Sequence, residues 1–156
     1  MINIAAVLND LGPSQKSFYF VKNFNDLSTN PNFSCSAFLC NIGVPVTKAL
    51  FSCSSVSFFS DYFGTAISTT IAEADTLLKS NNNSKKYLYL WDIEWLIRTM
   101  NYSQVCNILL DKRLKIIARS KSHAQIIENF CNKKPIGIVE DWNKEQLLKV
   151  LEVESG

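Results

Sequence analysis

Residues 2–14 have the sequence Ile2-Asn3-Ile4-Ala5-Ala6-Val7-Leu8-Asn9-Asp10-Leu11-Gly12-Pro13-Ser14, and they begin a pattern that continues along the whole chain. Residues 2–8 form a nearly continuous apolar run of strand length, which is typical of a strand covered on both faces. A polar turn ends this run, and its proline is placed to begin a helix. Residues 15–27 then carry apolar side chains at helical spacing. The stretch therefore predicts a buried strand, a tight turn and a helix.

The same alternation of short apolar runs and amphipathic segments continues to the end of the sequence. Further strands are predicted at residues 34–41, 64–68, 85–91, 113–118 and 135–139, and further helices at residues 71–79, 93–100, 103–110, 121–131 and 144–153. Residues 49–63 fit either a short strand followed by a helix or two strands. No repeat or linker divides the pattern. We therefore expect one domain over residues 1–156, a three-layer Rossmann-like α/β domain with a mostly parallel sheet of about six strands.

Composition excludes several classes of protein. The chain has 156 residues, of which 47% are hydrophobic and 12% aromatic, so it can bury a core and is not predominantly disordered. Its net charge of +2 lacks the basic excess of a dedicated nucleic-acid binder, so we do not expect nucleic acid as a partner. No apolar run approaches the roughly 18–20 residues of a membrane span. The amino terminus lacks the basic start of a signal peptide, so we expect a cytoplasmic protein.

The cysteine and histidine content argues against a metal site. The five cysteines are odd in number and form no C-x-x-C pair, and most have apolar neighbours. We therefore expect small, reduced core residues rather than a disulfide framework or a zinc site. The chain has only one histidine, which excludes a site with several histidine ligands. We expect neither a metal nor a cofactor.

Polar side chains gather in the loops that follow the predicted strands. In a parallel sheet, ligands bind beyond the carboxyl ends of the strands, near the point where the strand order reverses. The loops concerned are residues 9–14, 68–70, 91–94, 119–123 and 140–143. From these loops we take as candidate ligand-binding residues Asn9, Gly12, Ser14, Thr69, Asp92, Ser120 and His123.

The turn at residues 9–14 lies where a phosphate-binding loop would lie, because the amides of the following helix could hold an anion. Both glycine-rich phosphate fingerprints, G-x-G-x-x-G and G-x-x-x-x-G-K-[ST], are absent. Pro13 has no N–H to donate, and Asp10 would repel a phosphate. These features favour a tight turn with a helix cap over a nucleotide site.

Two carboxylates, Asp92 and Glu94, stand between Trp91 and Trp95. A carboxylate beside an aromatic wall suits a general base or an acceptor for sugar hydroxyls. We expect Asp92 to cap a helix and Glu94 to point into the cleft, and we take Asp10 and Glu94 as candidate catalytic bases. The alternative is a helix cap with two packed tryptophans.

Residues 118–123 end one predicted strand and open a helix. Ser120 is a natural helix cap, and Arg119 and His123 could bind an anion together. A Ser-His-acid triad is not expected, because the nucleophile motif G-x-S-x-G is absent. A surface histidine on the first helical turn is the alternative.

The order of these motifs resembles the N-terminal Rossmann-like half of GT-B glycosyltransferases. Five segments match in order. The first strand is followed by a polar turn, and residues 64–70 are a small strand followed by threonines. Residues 86–95 are an aromatic strand followed by acidic residues, residues 116–120 are a strand that ends in a serine, and residues 136–141 are a strand followed by an acidic turn. The resemblance spans nearly the whole chain. Composition and size also resemble those of a protein from a T4-like marine cyanophage, which would place the chain in the host cytoplasm.

The resemblance implies an acceptor-side or scaffold role. GT-B enzymes bind the nucleotide-sugar donor mainly through a second Rossmann-like domain, and a chain of this length is expected to hold one such half. We therefore expect a non-catalytic or accessory domain that binds a partner protein or a small polar ligand at the carboxyl edge of the sheet. A sugar or nucleotide-sugar ligand, a protein partner and a homodimer are the partners considered. The alternatives are a glycosyltransferase subunit that needs a separate donor-binding chain, with Asp10 or Glu94 as base, and a small nucleotide-binding regulatory domain.

Overall fold

A single parallel sheet of seven strands forms the middle layer of the molecule. The computed structural model describes residues 1–152. The strands are β1 (Ile2–Leu8), β2 (Phe33–Leu39), β3 (Ser52–Ser55), β4 (Thr65–Ser68), β5 (Lys85–Tyr89), β6 (Leu114–Ala118) and β7 (Gly137–Ile138). They lie in the order β3-β2-β1-β4-β5-β6-β7, and every neighbouring pair is parallel. The prediction of a three-layer Rossmann-like α/β fold is thereby confirmed.

Helices cover both faces of this sheet. They are α1 (Gln15–Ser28), α2 (Ile71–Lys79), α3 (Glu94–Ile97), α4 (Tyr102–Leu109), α5 (Lys121–Cys131) and α6 (Lys144–Val150), and a 3-10 helix spans Val56–Asp61. The apolar side chains of α1 and α6 belong to one core layer, and those of α2, α4 and α5 to the other. Among residues 1–152, no helix has both the length and the apolar character needed to cross a membrane.

Strand β1 is buried on both faces, as its apolar run predicts. Ile4, Ala6 and Leu8 point into the layer under α1, while Ala5 and Val7 point into the opposite layer. Burial of a side chain such as Ile4 or Leu8 contributes about 2 kcal/mol relative to exposure. The continuous apolar run is therefore required, because each face of the strand meets a core.

The strand order reverses between β1 and β4, and this reversal positions the candidate site. From β1 the chain proceeds outward through β2 to β3, and it then returns to form β4 on the other side of β1. The loops that leave the carboxyl ends of β1 and β4 therefore diverge toward opposite faces of the sheet. Such a divergence opens a crevice at this edge, where ligands of open α/β sheets bind.

The ambiguous residues 49–63 supply the seventh strand. They contain β3 and the 3-10 helix, so the alternative of a short strand followed by a helix is the closer one. The strand begins at Ser52, three residues into this stretch. It is an exposed edge strand, so its sequence lacks the apolar run that marks the buried strands.

The predictions for α3 and for the last helix need correction at their ends. Helix α3 ends at Ile97 rather than at residue 100, because Arg98 adopts an extended backbone. The expected cap by Asp92 is wrong, since Ile93 occupies the cap position and no side chain accepts a hydrogen bond there. The last helix ends at Val150, and the predicted residue 153 lies outside the described residues.

All five cysteines are free, but not all are core residues. Cys35 and Cys131 are buried, as expected, and burial raises the pKa of the Cys35 thiol to about 11. Cys40 and Cys53 are exposed, so the core prediction is wrong for them. Both lie at the β2–β3 side of the sheet, where few elements cover it.

Candidate functional site

A buried carboxylate, that of Glu73, lies at the point where the strand order reverses. Its Oε1 accepts a hydrogen bond from the backbone N–H of Asn9 at 2.8 Å. Its Oε2 accepts from the N–H and the hydroxyl of Thr69, both at 2.8 Å, and from the N–H of Thr70 at 3.0 Å. Glu73 is only 4% exposed, so these bonds are what satisfies its charge. It ties the loop after β1 to the loop after β4.

Sequence reasoning missed Glu73, although a signal for it is present. Thr70 caps α2 by accepting a hydrogen bond from the N–H of Glu73 at 3.2 Å, and the two residues form a reciprocal capping box. The pattern of Thr followed three residues later by Glu marks such a box in a sequence. The pattern does not reveal the bond to Asn9, which joins residues 64 positions apart.

The turn at residues 9–14 folds around the Asp10 carboxylate. Asp10 accepts hydrogen bonds from the N–H of Gly12 at 2.8 Å and from Nδ2 of Asn9 at 2.7 Å. Ser14 caps α1 by accepting from the N–H of Ser17 at 3.0 Å. The segment is thus a tight turn with a helix cap, and the Gly12 amide that a phosphate would use is already bound.

Glu94 is buried and holds the start of α2. Its Oε2 accepts from the N–H of Ile71 at 2.6 Å, and its Oε1 accepts from the Arg98 guanidinium at 2.6 Å. A negative charge at the amino end of a helix is favourable, because the helix dipole is positive there. The catalytic role assigned to Asp10 and Glu94 stays a prediction. In the folded chain both carboxylates accept internal donors.

Two adjoining cavities open at the carboxyl edge of the sheet, with volumes of about 260 and 340 Å³. Both are lined by Lys16, Trp91 and Asp92. The Lys16 ammonium donates to the hydroxyl of Thr69 at 3.1 Å. Within residues 1–152, neither Lys16 nor Asp92 forms an ion pair, and the Asp92 carboxylate accepts no hydrogen bond.

Arg119 is fixed in position beside these cavities. Its guanidinium lies 3.6 Å from the centroid of the Trp91 ring, a cation–π contact. It also donates to Asp141 Oδ1 at 3.0 Å and to Gln15 Oε1 at 3.4 Å. The Arg119 guanidinium is therefore engaged by side chains of the protein itself and is not a free site for an anion.

Ser120 and His123 belong to the start of α5. The Ser120 hydroxyl accepts from the N–H of His123 at 3.1 Å, which confirms the serine as a helix cap. Nδ1 of His123 is buried without a hydrogen-bond partner among the described residues. Burial and the charge of Arg119 lower the pKa of His123, while Asp92 raises it to a smaller extent. The imidazole is accordingly neutral near pH 7.

The structure brings most of the candidate residues together, but not all. Those that line one or both cavities are Asn9, Asp10, Ser14, Thr69, Asp92 and Glu94. Gly12 lies in the turn beneath them, and Ser120 and His123 line neither cavity. Lys16 and Arg98 line the crevice and were not among the sequence candidates. A lysine on the first turn of a surface helix gives no signal that separates it from an ordinary exposed lysine.

The fold and the crevice define a Rossmann-like domain with an open cleft at its point of strand reversal. Comparison of the chain with protein-family models, curated proteins and solved structures finds no match. Within residues 1–152, no three His, Cys, Asp or Glu side chains come together as the ligands of a metal ion would. Any function must therefore be argued from the chemistry of the crevice.

Proposed function

We propose that this chain is a binding domain whose crevice holds a small polar ligand with hydroxyl groups and one anionic group, of the kind found in sugar phosphates and nucleotide sugars. The proposal rests on which charged side chains in the crevice have a bonding partner and which do not. Asp10, Glu94 and Arg98 all have internal partners. Lys16 and Asp92, which line both cavities, have no ion-pair partner within residues 1–152.

Lys16 suits the anionic group of such a ligand. An ammonium has three donors, and only one of them is used, by Thr69. Lys16 also lies in the first turn of α1, where the helix dipole favours a negative charge. The cavity of about 260 Å³ is lined by Lys16, Thr69 and Arg98 but not by Asp10, so the anionic group fits this cavity better than the one that Asp10 lines.

Asp92 suits the hydroxyl groups. An ionised carboxylate offers about four acceptor positions, and those of Asp92 face the cleft with no donor from residues 1–152. Trp91 lines both cavities with Lys16 and Asp92, which adds an aromatic edge for the ring of a sugar.

Binding is favoured over group transfer because the two candidate bases, Asp10 and Glu94, already form hydrogen bonds within the fold. A general base needs a free lone pair within reach of the proton that it removes. Glu94 is only 6% exposed and both of its oxygens are held by donors at 2.6 Å, so little of this carboxylate is accessible to a substrate. The Asp10 oxygens accept donors from the turn. Their carboxylates thus support the shape of the crevice.

The proposal is tested by isothermal titration with four probes: glucose 1-phosphate, UDP-glucose, glucose and inorganic phosphate. We expect the first two to bind more tightly than the last two, because only they carry both kinds of group. Lys16→Met and Asp92→Asn should each weaken binding about tenfold, which corresponds to about 1.4 kcal/mol. Lys22→Met is the matched control, since Lys22 is an exposed lysine on the same helix, and it should leave the affinity unchanged.

Two outcomes contradict the proposal. One is the absence of binding by all four probes, and the other is an affinity that neither Lys16→Met nor Asp92→Asn alters. Release of glucose from UDP-glucose by this chain alone would overturn the non-catalytic part of the proposal.

A further inference from the structure

The sheet has two edges, and the edge formed by β3 lacks the features that usually prevent a strand from pairing with another chain. Strand β3 pairs only with β2, so the backbone groups along its outer side have no strand partner among the described residues. Its sequence, Ser52-Cys53-Ser54-Ser55, contains neither a charged residue nor a proline. Native proteins usually protect an edge strand with such residues, because a free edge is a template for pairing with another chain.

The segments beside β3 are also uncharged and partly apolar. Between residues 41 and 60 the only charged side chain is that of Lys48. Two residues before β3, Leu50 is 61% exposed, and three residues after it, Phe58 is 67% exposed. Large apolar side chains exposed beside an unpaired strand are typical of an interaction surface.

The opposite edge of the sheet is better protected, although Ile136 beside it is 47% exposed. Strand β7 has only two residues. The cavity beside it is lined by Lys115, Lys121 and Lys149 together with Glu140. Shortness and nearby lysines are the usual protection of an edge strand. Of the two edge strands, β3 is therefore the less protected.

We propose that the β3 edge pairs antiparallel with the β3 edge of a second copy of this chain, so that one sheet continues through a two-fold axis. Antiparallel strands exchange their N–H and C=O groups, and a two-fold axis generates this arrangement from identical strands. A two-fold axis also brings equal charges close together. The strand from Ser52 to Ser55 carries no charge, so two copies meet without repulsion.

Pairing of four residues buries too little surface by itself. A stable dimer interface buries about 1,200–2,000 Å² in total. Leu50 and Phe58 flank the strand closely in sequence, and their burial against the second copy supplies apolar area. The dimer should therefore require both that β3 carries no charge and that Leu50 and Phe58 are apolar.

The oligomeric state tests this inference. Multi-angle light scattering at about 0.1 mM should give the mass of a dimer for the unaltered chain. Ser52→Lys and Cys53→Lys place like charges at exposed positions near the two-fold axis, and each should give a monomer whose far-UV circular dichroism spectrum matches that of the unaltered chain. Phe58→Ser should weaken dimerisation about tenfold or more. Leu96→Lys is the control, because Leu96 is equally exposed on α3, away from β3, and it should leave the dimer intact.

A monomeric unaltered chain at this concentration overturns the inference. A dimer that persists in both Ser52→Lys and Cys53→Lys also overturns it, because the interface must then lie elsewhere. Loss of the dimer in Leu96→Lys alone would assign the interface to α3. None of these results depends on the ligand crevice, so the inference and the proposed function fail separately.

Discussion

Glu73 joins the loops after β1 and β4 through one buried carboxylate. In Glu73→Gln, one of the two oxygens is replaced by an NH2 group, which cannot accept from the backbone N–H groups that donate to that oxygen in the unaltered chain. Leaving such buried donors unpaired costs about 1–3 kcal/mol, and charged hydrogen bonds are lost as well. We therefore expect the free energy of unfolding to fall by about 3 kcal/mol in urea denaturation.

The matched control is Glu145→Gln, because Glu145 is exposed on the first turn of α6. A change at such a position is usually within about 0.5 kcal/mol. Equal stability of the two variants would contradict the role given to Glu73.

Gly64 is required where the chain enters β4. Its φ of +131° lies in a region that side chains rarely adopt, and an added Cβ would lie 2.6 Å from the carbonyl oxygen of Asn3. Gly64→Ala should therefore lower the free energy of unfolding by about 2 kcal/mol or more. Gly43→Ala is the control, since a Cβ there meets no atom within 4 Å, and thermal unfolding should distinguish the two variants clearly. Similar Tm values for both would be inconsistent with the strain assigned to Gly64.

At the scale of elements, β7 and α6 pack closely because residue 137 is a glycine. A Cβ added to Gly137 would lie 2.5 Å from Cγ2 of Val150. Gly137→Ala should destabilise the fold by about 1–3 kcal/mol, as overpacking does. Val150→Ala in the same chain removes the clashing methyl groups and should restore part of the loss.

A double-mutant cycle measured by urea denaturation checks this contact. The two substitutions should show a favourable coupling of at least about 0.5 kcal/mol. Additive effects would mean that the cost of Gly137→Ala arises from the backbone and not from the packing of α6 on β7.

Elements in the interior could be predicted from the sequence, and elements at the edge could not. β1 and β5 are buried on both faces, so their apolar runs are continuous and their positions follow from the pattern. β3 is an exposed edge strand of serines and one cysteine, and its sequence carries no such run. Helix α3 was predicted too long, because the apolar Trp95, Leu96 and Ile97 resemble a helix face although the last two are exposed.

At the scale of the whole molecule, the loops of the crevice could be predicted but their internal partners could not. Parallel strands end at the same edge of a sheet, so the polar residues after β1, β4 and β5 were expected to meet. The order of the strands is set by long-range packing, and only that order places Asn9 beside Glu73. The same holds for Glu94, which lines the cleft as expected but also binds the first turn of α2, a contact that the sequence did not reveal.

The crevice at the carboxyl ends of β1, β4 and β5 is proposed to bind a polar, anionic ligand through Lys16 and Asp92. The most direct measurement is an NMR titration of the ¹⁵N-labelled chain with UDP-glucose. We predict that the largest amide shifts fall on Lys16, Thr69 and Asp92, and that Lys16→Met abolishes them at the same concentration. An absence of shifts, or shifts concentrated at the amino ends of the strands, around Leu109 and Lys133, would contradict this expectation.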